Sequence, residues 1–312
     1  MASAAASGRS PVRVIYLTGT GRSGSTLLGN AIGSLPGAVS AGEIRFLLRR
    51  GLAEGGRCGC RELVIECPVW RPALEKTFGT IPGPPAAQRL DAVLTDLTRR
   101  RRVRWWASGA TSPEADELID LHGRLIANLA EASGATTVVD SSKIATFGAL
   151  VSRSPLLDVR PVHLVRDPRA VAYSWQREVA SQAVEGYDGE MERFRAGKAA
   201  AMWLHSTVSV GTAFTRRGTD VLDVRYEDFV ADPAGTLGRV ASFAGLAPDT
   251  GFVHDDGTLD LRTSHAVAGN PNRMRSGPVS LRADTAWKSE LRTRDRMVVS
   301  AVTTTHRRGH GY

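Results

Sequence analysis

A glycine-rich loop between a strand and a helix constrains this chain more than any other feature. Residues 16–28 read YLTGTGRSGSTLL, and a branched apolar run, Val12–Leu17, leads into the loop. Glycines let a backbone turn sharply and bring its N–H groups close to an anion. A helix that begins directly after the loop adds free N–H donors and the positive end of its dipole. The segment predicts a strand–loop–helix unit that binds a phosphate-like anion, with a plain glycine-rich turn as the alternative.

Short apolar runs alternate with helical patterns along the chain. The strand-like runs are Val12–Leu17, Thr136–Val139, Pro161–Val165 and Asp220–Val224. The helical patterns are Ser25–Ile32, Pro113–Ala132, Ile144–Val151, Arg169–Ala180, Asp188–Phe214 and Leu281–Arg307. This alternation predicts an α/β fold, a P-loop-like three-layer sandwich with a central parallel sheet flanked by helices.

One stretch interrupts the alternation. Residues 49–112 carry the three cysteines, the segment IPGPPAAQ and the basic run RRRRVRWW. We expect a Cys/Arg-rich insertion or cap on the sheet, within a single domain that spans all 312 residues after a disordered lead-in over residues 1–11. Apolar residues make up 42% and charged residues 23% of the chain, which excludes wholesale disorder.

Charge and hydropathy limit the kinds of partner and the cellular location that the sequence predicts. The formal net charge of +8 favours an anionic partner, such as a phosphate-bearing cofactor, nucleic acid, an acidic glycan or anionic lipid. The first residues, MASAAASGRSPVRV, lack the apolar core of a secretory signal. The run Ala199–Thr215 falls short of the roughly 20 apolar residues that a membrane helix needs. The sequence predicts a cytoplasmic protein with no membrane span.

The loop differs from a nucleotide-hydrolysing P-loop at one position. Aligned on Gly19 and Gly24, the pattern GxxxxGK[ST] requires lysine at position 25, where this chain has Ser25. The cation is instead Arg22, inside the loop. The third strand-like run is followed by Arg166 and not by an aspartate suited to Mg²⁺. The loop therefore predicts a site for one sulfate or phosphate group.

A second anion site is predicted where the third strand ends. Arg166 follows a strand, and Ser174 lies eight residues on, about two helical turns away. An arginine fork with a hydroxyl suits a phosphate monoester. Taken alone, the segment favours a surface arginine and a core serine.

The motifs resemble those of sulfotransferases that use PAPS (3′-phosphoadenosine 5′-phosphosulfate). GTGRSGSTLL resembles their 5′-phosphosulfate loop, in the arginine-bearing form of tyrosylprotein, carbohydrate and many bacterial members. The spacing of Arg166 and Ser174 resembles their 3′-phosphate motif, which reverses the preference stated above. VRYEDF, which contains Tyr226, and SHAVAGNPNR, which contains Asn270 and Arg273, resemble further segments of the family. The resemblance covers residues 12–48 and 136–291. It implies a cofactor site formed by Gly21, Arg22, Ser23, Gly24, Ser25, Thr26, Arg166, Ser174, Tyr226, Asn270 and Arg273.

The resemblance also implies the catalytic residues. Glu43 in SAGEIR resembles the catalytic glutamate in the GEETR segment of tyrosylprotein sulfotransferases, and the alternative is a surface carboxylate paired with Arg45. Lys143 ends a segment, DSSK, that resembles the family's, and the alternative is a helix cap. His205 and His265 are the alternative bases. The KTHLP-like segment that carries the catalytic histidine of aryl-type enzymes is absent, which favours Glu43. Arg22, Glu43, Lys143 and His265 are the predicted catalytic set.

The insertion offers two further sites. RCGCRELVIECPVW resembles an insert of bacterial members, and its cysteines could ligate zinc. Three cysteines supply only three of the usual four ligands, and no histidine is near them in sequence, so a thiol cluster or one disulfide is favoured. The basic run next to Trp105-Trp106 could bind an acidic acceptor or nucleic acid, but a solvated helix end with core tryptophans is favoured.

The implied function is transfer of a sulfuryl group from PAPS to a hydroxyl of a carbohydrate or small-molecule acceptor, acidic acceptors included, with release of PAP (3′,5′-adenosine bisphosphate). No metal is expected, and nucleic acid is the disfavoured partner. The rival functions are a P-loop kinase of a small molecule or nucleotide and a non-catalytic module that binds anions or nucleic acid.

Overall fold

The fold is a parallel β-sheet with helices on both faces, as the sequence predicts. The computed structural model describes residues 10–177 and 193–312. The strands are β1 (Val12–Gly19), β2 (Ala38–Gly42), β3 (Thr137–Lys143), β4 (Leu157–Val165), β5 (Leu222–Arg225), β6 (Thr258–Leu261) and β7 (Gly277–Ser280). The first five form the parallel sheet in the order β2-β3-β1-β4-β5, and the last two form an antiparallel hairpin.

The helices flank the sheet and fill the insertion. They are α1 (Ser25–Gly33), α2 (Trp70–Phe78), α3 (Pro84–Leu97), α4 (Val103–Ala107), α5 (Pro113–Ser133), α6 (Ala145–Val151), α7 (Pro168–Gln176), α8 (Ala196–Ala213), α9 (Tyr226–Ala231), α10 (Pro233–Phe243), α11 (Trp287–Glu290) and α12 (Thr293–Gly309). A π-helical segment, Leu47–Ala53, follows β2.

Alternation along β1 divides the core into two layers. Val14 and Tyr16 pack into one cluster, and Ile15 and Leu17 pack into the other. All four are fully buried, as expected for a central strand covered on both faces. Because β1 lies between β3 and β4, the loop after β1 opens where the strand order reverses, which is where open α/β sheets bind ligands.

Several elements differ from the prediction. The edge strand β2 (AVSAG) was not predicted because its small residues carry little of the branched, apolar signal of a strand. The β6–β7 hairpin was likewise not predicted. The helix expected over 169–180 is α7, which ends earlier, at Gln176, and the helix expected over 188–214 is α8, which begins later, at Ala196. Residues 1–9 of the predicted lead-in lie outside the described residues, and so do residues 178–192. The second range contains the end of the first of these predicted helices and the start of the second.

The insertion packs into the core of the domain. Trp106 is fully buried, and its Nε1 donates to the backbone oxygen of Leu97 at 2.8 Å. Trp70 and Leu94 belong to the same apolar cluster as Val14 of the central strand. No helix in the described part of the chain combines the length and the apolar character that crossing a membrane requires.

Candidate active site

A cleft of about 790 Å³ opens at the carboxyl ends of the parallel strands. It collects the residues that follow four strands, namely the loop after β1, Glu43 after β2, Lys143 at the end of β3 and Tyr226 after β5. The predicted site residues that line it are Gly21, Arg22, Gly24, Ser25, Thr26, Glu43, Lys143, Tyr226 and Asn270. The sheet topology therefore gathers in one cleft residues that are far apart in sequence.

The glycine-rich loop is shaped to bring backbone against a ligand. Gly24 has a φ of 89°, and a Cβ there would lie 2.4 Å from the ring of Tyr226. Glycine is therefore required for both conformation and space. Helix α1 begins at Ser25 without a side-chain cap, so its first N–H groups are left to a ligand or to solvent. An uncapped helix start in a cleft is suited to an anion.

Two cationic residues of the cleft hold a strained backbone. Arg22 and Lys143 have φ values of 68° and 69°, in the left-handed region that residues other than glycine rarely adopt. The Arg22 guanidinium lies 5.0 Å from the centre of the Trp175 ring, and a Cβ on Gly21 would lie 2.9 Å from that ring. Such strain is maintained only where the surroundings enforce it, and it is enriched at functional sites.

Glu43 and Lys143 form an ion pair in the cleft. The Lys143 Nζ donates to the Glu43 Oε1 and, at 3.1 Å, to the backbone oxygen of Ser141. Their side chains are only 12% and 18% exposed, so solvent screens the pair weakly. Arg45, the alternative partner of Glu43, is buried and instead binds Asp91 at 2.8 Å. The alternative interpretation, a surface pairing of Glu43 with Arg45, is therefore wrong.

A buried carboxyl group organises the end of β3. Asp140 is fully buried and accepts hydrogen bonds from the backbone N–H of Ser142, at 2.8 Å, and from its hydroxyl. Ser142 in turn accepts from the backbone N–H of Arg45 at 3.0 Å. Burial raises the pKa of Asp140 to about 7, against an ordinary value of 3.8. This network joins the segment that carries Lys143 to the segment that follows Glu43.

Arg166 lies beneath the loop and not in the wall of the cleft. It is buried, and it donates to the backbone oxygen of Arg22 at 3.0 Å and to Asp284 at 2.9 Å. Its guanidinium also lies 4.6 Å from the centre of the Tyr226 ring. Ser174 is on α7, the helix that follows, and is partly exposed. Of the two predicted 3′-phosphate residues, Arg166 thus adjoins the loop, and it already has a carboxylate partner.

Two other predicted residues are buried and do not line the cleft. Arg273 is buried and donates to the backbone oxygens of Gly269, at 3.3 Å, and of Arg57, at 3.1 Å. Ser23 is buried within the loop. Asn270, three residues before Arg273, does line the cleft. Arg273 supports the segment that presents Asn270.

The two candidate histidines lie in different places. His205 lines the cleft, and burial lowers its pKa. His265 does not line the cleft. It lies instead beside the cysteines, with its Nδ1 3.3 Å from the Cys67 Sγ. The prediction that no histidine lies near the cysteines is therefore wrong. His265 is distant from them in sequence but lies beside Cys67 in the structure. This placement gives His205 the better position of the two for proton transfer.

Several residues of the cleft were not predicted. Trp175, Asn30, Arg50 and Arg100 line it. Arg100 belongs to the basic run for which a solvated position was favoured, so part of that run faces the cleft. Trp175 adjoins Ser174 in sequence, but no pattern in the sequence indicated that its ring lies against Arg22.

Comparisons with known proteins agree with this architecture. The family model described as "Sulfotransferase family" matches residues 14–250. A sulfotransferase domain from the curacin biosynthetic pathway is 18% identical, with a TM-score of 0.50, over 95% of this chain and 98% of its own. A sulfotransferase domain from the Synechococcus PCC 7002 olefin synthase is 20% identical, with a TM-score of 0.49, over 94% and 95% of the two chains.

A search of curated proteins finds no match. At 18% identity, the likeness to the curacin-pathway domain shows a shared fold and nothing more. The family model covers well over half of the chain. The chain therefore belongs to the sulfotransferase family.

Proposed function

We propose that this protein transfers the sulfuryl group of PAPS to a hydroxyl of a carbohydrate or small-molecule acceptor and releases PAP. The observation that carries the proposal is the Glu43–Lys143 ion pair, which lines the same cleft as the glycine-rich loop. A carboxylate, a cation and a cradle of backbone donors are the groups that sulfuryl transfer to a hydroxyl requires.

The donor set of the loop fits a sulfate or phosphate group. The uncapped start of α1 and Arg22 provide N–H donors and positive charge in the cleft. The buried Ser23 Oγ has no hydrogen-bond partner among the residues that the structure describes. A buried polar atom left without a partner is costly, and a bound anion with its ordered water would remove that cost.

In the proposed reaction the acceptor oxygen forms a bond to sulfur, and the bond from sulfur to the 5′-phosphate oxygen breaks. The Glu43 carboxylate takes the proton of the acceptor hydroxyl, and the electron pair of the broken bond stays on the phosphate of PAP. Lys143 orients Glu43 and balances charge on the transferring group or on the bridging oxygen. Arg22 and the backbone N–H groups of the loop stabilise the sulfuryl oxygens.

The nucleotide end of the site is proposed to involve Arg166, Ser174, Tyr226 and Asn270. Arg166 lies below the loop and beside the Tyr226 ring, so both can contribute to binding of the 3′-phosphate and the nucleotide. Arg273 then acts through the backbone of the segment that carries Asn270.

The remaining walls of the cleft suit an acceptor that is partly apolar and acidic. They combine the apolar side chains of Phe46 and Met202 with the cations Arg50 and Arg100 and the hydroxyl of Ser206. A carbohydrate or small molecule that carries an acid group would use both kinds of contact.

The test is transfer of ³⁵S from labelled PAPS to panels of glycan, lipid and phenolic acceptors, with acidic and neutral members of each panel. We expect label in at least one hydroxyl acceptor and labelling at least about 100-fold slower with the Glu43→Gln protein. Parallel incubations with γ-labelled ATP and Mg²⁺ test the kinase alternative. Phosphoryl transfer without sulfuryl transfer would overturn the proposal. Binding of PAP without transfer to any acceptor would favour a non-catalytic module.

A further inference from the structure

Four metal-ligating side chains meet away from the cleft. The Sγ atoms of Cys58, Cys60 and Cys67 and a ring nitrogen of His265 all lie within 4.8 Å of one another. The Cys60 and Cys67 sulfurs are 3.6 Å apart, and the His265 Nδ1 is 3.3 Å from Cys67 and 3.8 Å from Cys58. The cysteines are free thiols.

These separations match the edges of a tetrahedral zinc site. With Zn–S bonds of about 2.3 Å and Zn–N bonds of about 2.0–2.1 Å, tetrahedral geometry places two sulfurs about 3.8 Å apart and a sulfur about 3.6 Å from a nitrogen. Three cysteines and one histidine are a common ligand set for structural zinc. The set has the chemistry, the number and the spacing that one Zn²⁺ needs.

The surrounding backbone also suits a metal thiolate site. The backbone N–H of Trp70 donates to the Cys67 sulfur at 3.5 Å, and the fully buried Trp70 ring donates to the His265 backbone oxygen at 2.7 Å. Gly59, between the first two cysteines, has no room for a side chain, since a Cβ would lie 2.2 Å from the Ser264 hydroxyl. These contacts hold the ligands from outside, as the supporting residues of metal sites do.

We propose that Cys58, Cys60, Cys67 and His265 bind one structural Zn²⁺ ion. With four protein ligands the ion has no open position for substrate, and none of the four residues lines the cleft. The site is therefore separate from the proposed sulfuryl-transfer chemistry and does not depend on it. The zinc would join the insertion to the C-terminal segment of the domain.

The connection that zinc would make between the insertion and the C-terminal segment also affects the shape of the cleft. The backbone N–H of His265 donates to the Ser40 oxygen of β2 at 3.0 Å, and Val267 donates to Ala41 at 2.9 Å. The same segment continues to Gly269 and Asn270, both in the wall of the cleft. Zinc binding would therefore stabilise the position of this wall relative to the insertion.

The first experiment measures metal content and stability of the full chain. After expression with added zinc and gel filtration without chelator, we expect about one zinc per chain by plasma mass spectrometry. A mercurial that modifies thiols should release that zinc, as followed with a chromogenic chelator, and should lower the melting temperature. Wild-type protein without bound zinc, or with a Cys60–Cys67 disulfide in its intact-mass spectrum, would overturn the proposal.

The second experiment uses variants of the histidine. His265→Ala should lose most of the bound zinc, whereas His265→Cys should retain it with a four-sulfur site. The control is His254→Ala, since His254 is exposed and lies outside the cluster. Cobalt substitution should give the intense d–d absorption of tetrahedral cobalt thiolate in wild type. If His265→Ala fails to fold, the wild-type cobalt spectrum decides, and an octahedral spectrum would contradict the proposal.

Discussion

Glu43 is the residue on which the proposed chemistry depends most. We expect Glu43→Gln to lower kcat by at least about 100-fold, because a positioned base commonly contributes about 10²–10⁴-fold. The amide keeps the shape of the side chain, so PAP binding should persist, and a thermal-shift titration with PAP checks this.

The control for Glu43 is Glu54→Gln, an exposed carboxylate that pairs with Arg49, and its kcat should stay within about twofold. Near-normal turnover of Glu43→Gln, combined with loss of turnover in His205→Asn, would assign the base to the histidine that lines the cleft.

Asp140 should make the free energy of unfolding decrease as pH rises, which is opposite to the effect of a carboxylate whose pKa is lowered by folding. Burial raises its pKa to about 7, above the ordinary 3.8, so the folded state binds a proton that the unfolded state releases. Its contribution to stability is present at low pH and is lost as pH rises from about 4 to about 7.

Asp140→Asn removes this titration and keeps an oxygen that can accept from Ser142. The free energy of unfolding of the variant minus that of wild type should increase with pH, by at most about 1.4 kcal/mol per pH unit. Urea unfolding of both proteins from pH 5 to pH 8 tests this, and a difference that stays constant would contradict the raised pKa.

At the scale of elements, the start of α1 depends on Gly24. We expect Gly24→Ala to weaken PAP binding by at least about tenfold, because the added Cβ would displace Tyr226 or the loop and thereby disturb a charge-assisted contact. Gly218→Ala is the matched control, since Gly218 also has a positive φ, of 75°, but has no atom within 4 Å of an added Cβ.

The control variant Gly218→Ala should therefore lose only about 1–2 kcal/mol of stability and keep its PAP affinity. Isothermal titration calorimetry with PAP compares the two variants. Equal affinities would show that the close approach of the loop to Tyr226 is not needed for binding.

The end of β4 is proposed to select a nucleotide with a 3′-phosphate. Arg166→Ala should weaken PAP binding by roughly 10- to 150-fold, from the loss of about 1.5–3 kcal/mol, and should change ADP binding much less. Arg160→Ala on the same strand is the control, because Arg160 pairs with Asp158 and is well exposed. Equal loss for PAP and ADP would place Arg166 in a purely structural role.

At the scale of the whole molecule, the loop that replaces the P-loop lysine with Ser25 predicts turnover without magnesium. Sulfuryl transfer measured in buffer treated with a chelating resin should stay within about twofold when Mg²⁺ is added. No soluble chelator is used, so that the cysteine cluster keeps its zinc. An absolute requirement for added Mg²⁺ would favour the kinase alternative, because P-loop kinases hold Mg²⁺ between their phosphates.

The sequence alone determined the loop, the class of sheet and most of one wall of the cleft. Gly24, Ser25 and the helix that follows are contiguous, and their conformations follow from local chemistry. Lys143 could be placed at the cleft because it follows a predicted strand of the parallel sheet. Glu43 was placed there only by the family resemblance, because the strand that precedes it, β2, was not predicted. The family resemblance added their roles, which geometry does not test.

Tertiary structure alone decided the contacts between distant segments. The edge strand β2 has a weak strand signal and forms because β3 pairs with it. Trp175 lies against Arg22, Arg45 binds Asp91 instead of Glu43, and His265 completes the cysteine cluster. Each contact joins side chains 46 or more residues apart, and no local pattern encodes it. Packing of the whole chain selects these partners, because burying an unpaired polar group costs more free energy than local preference supplies.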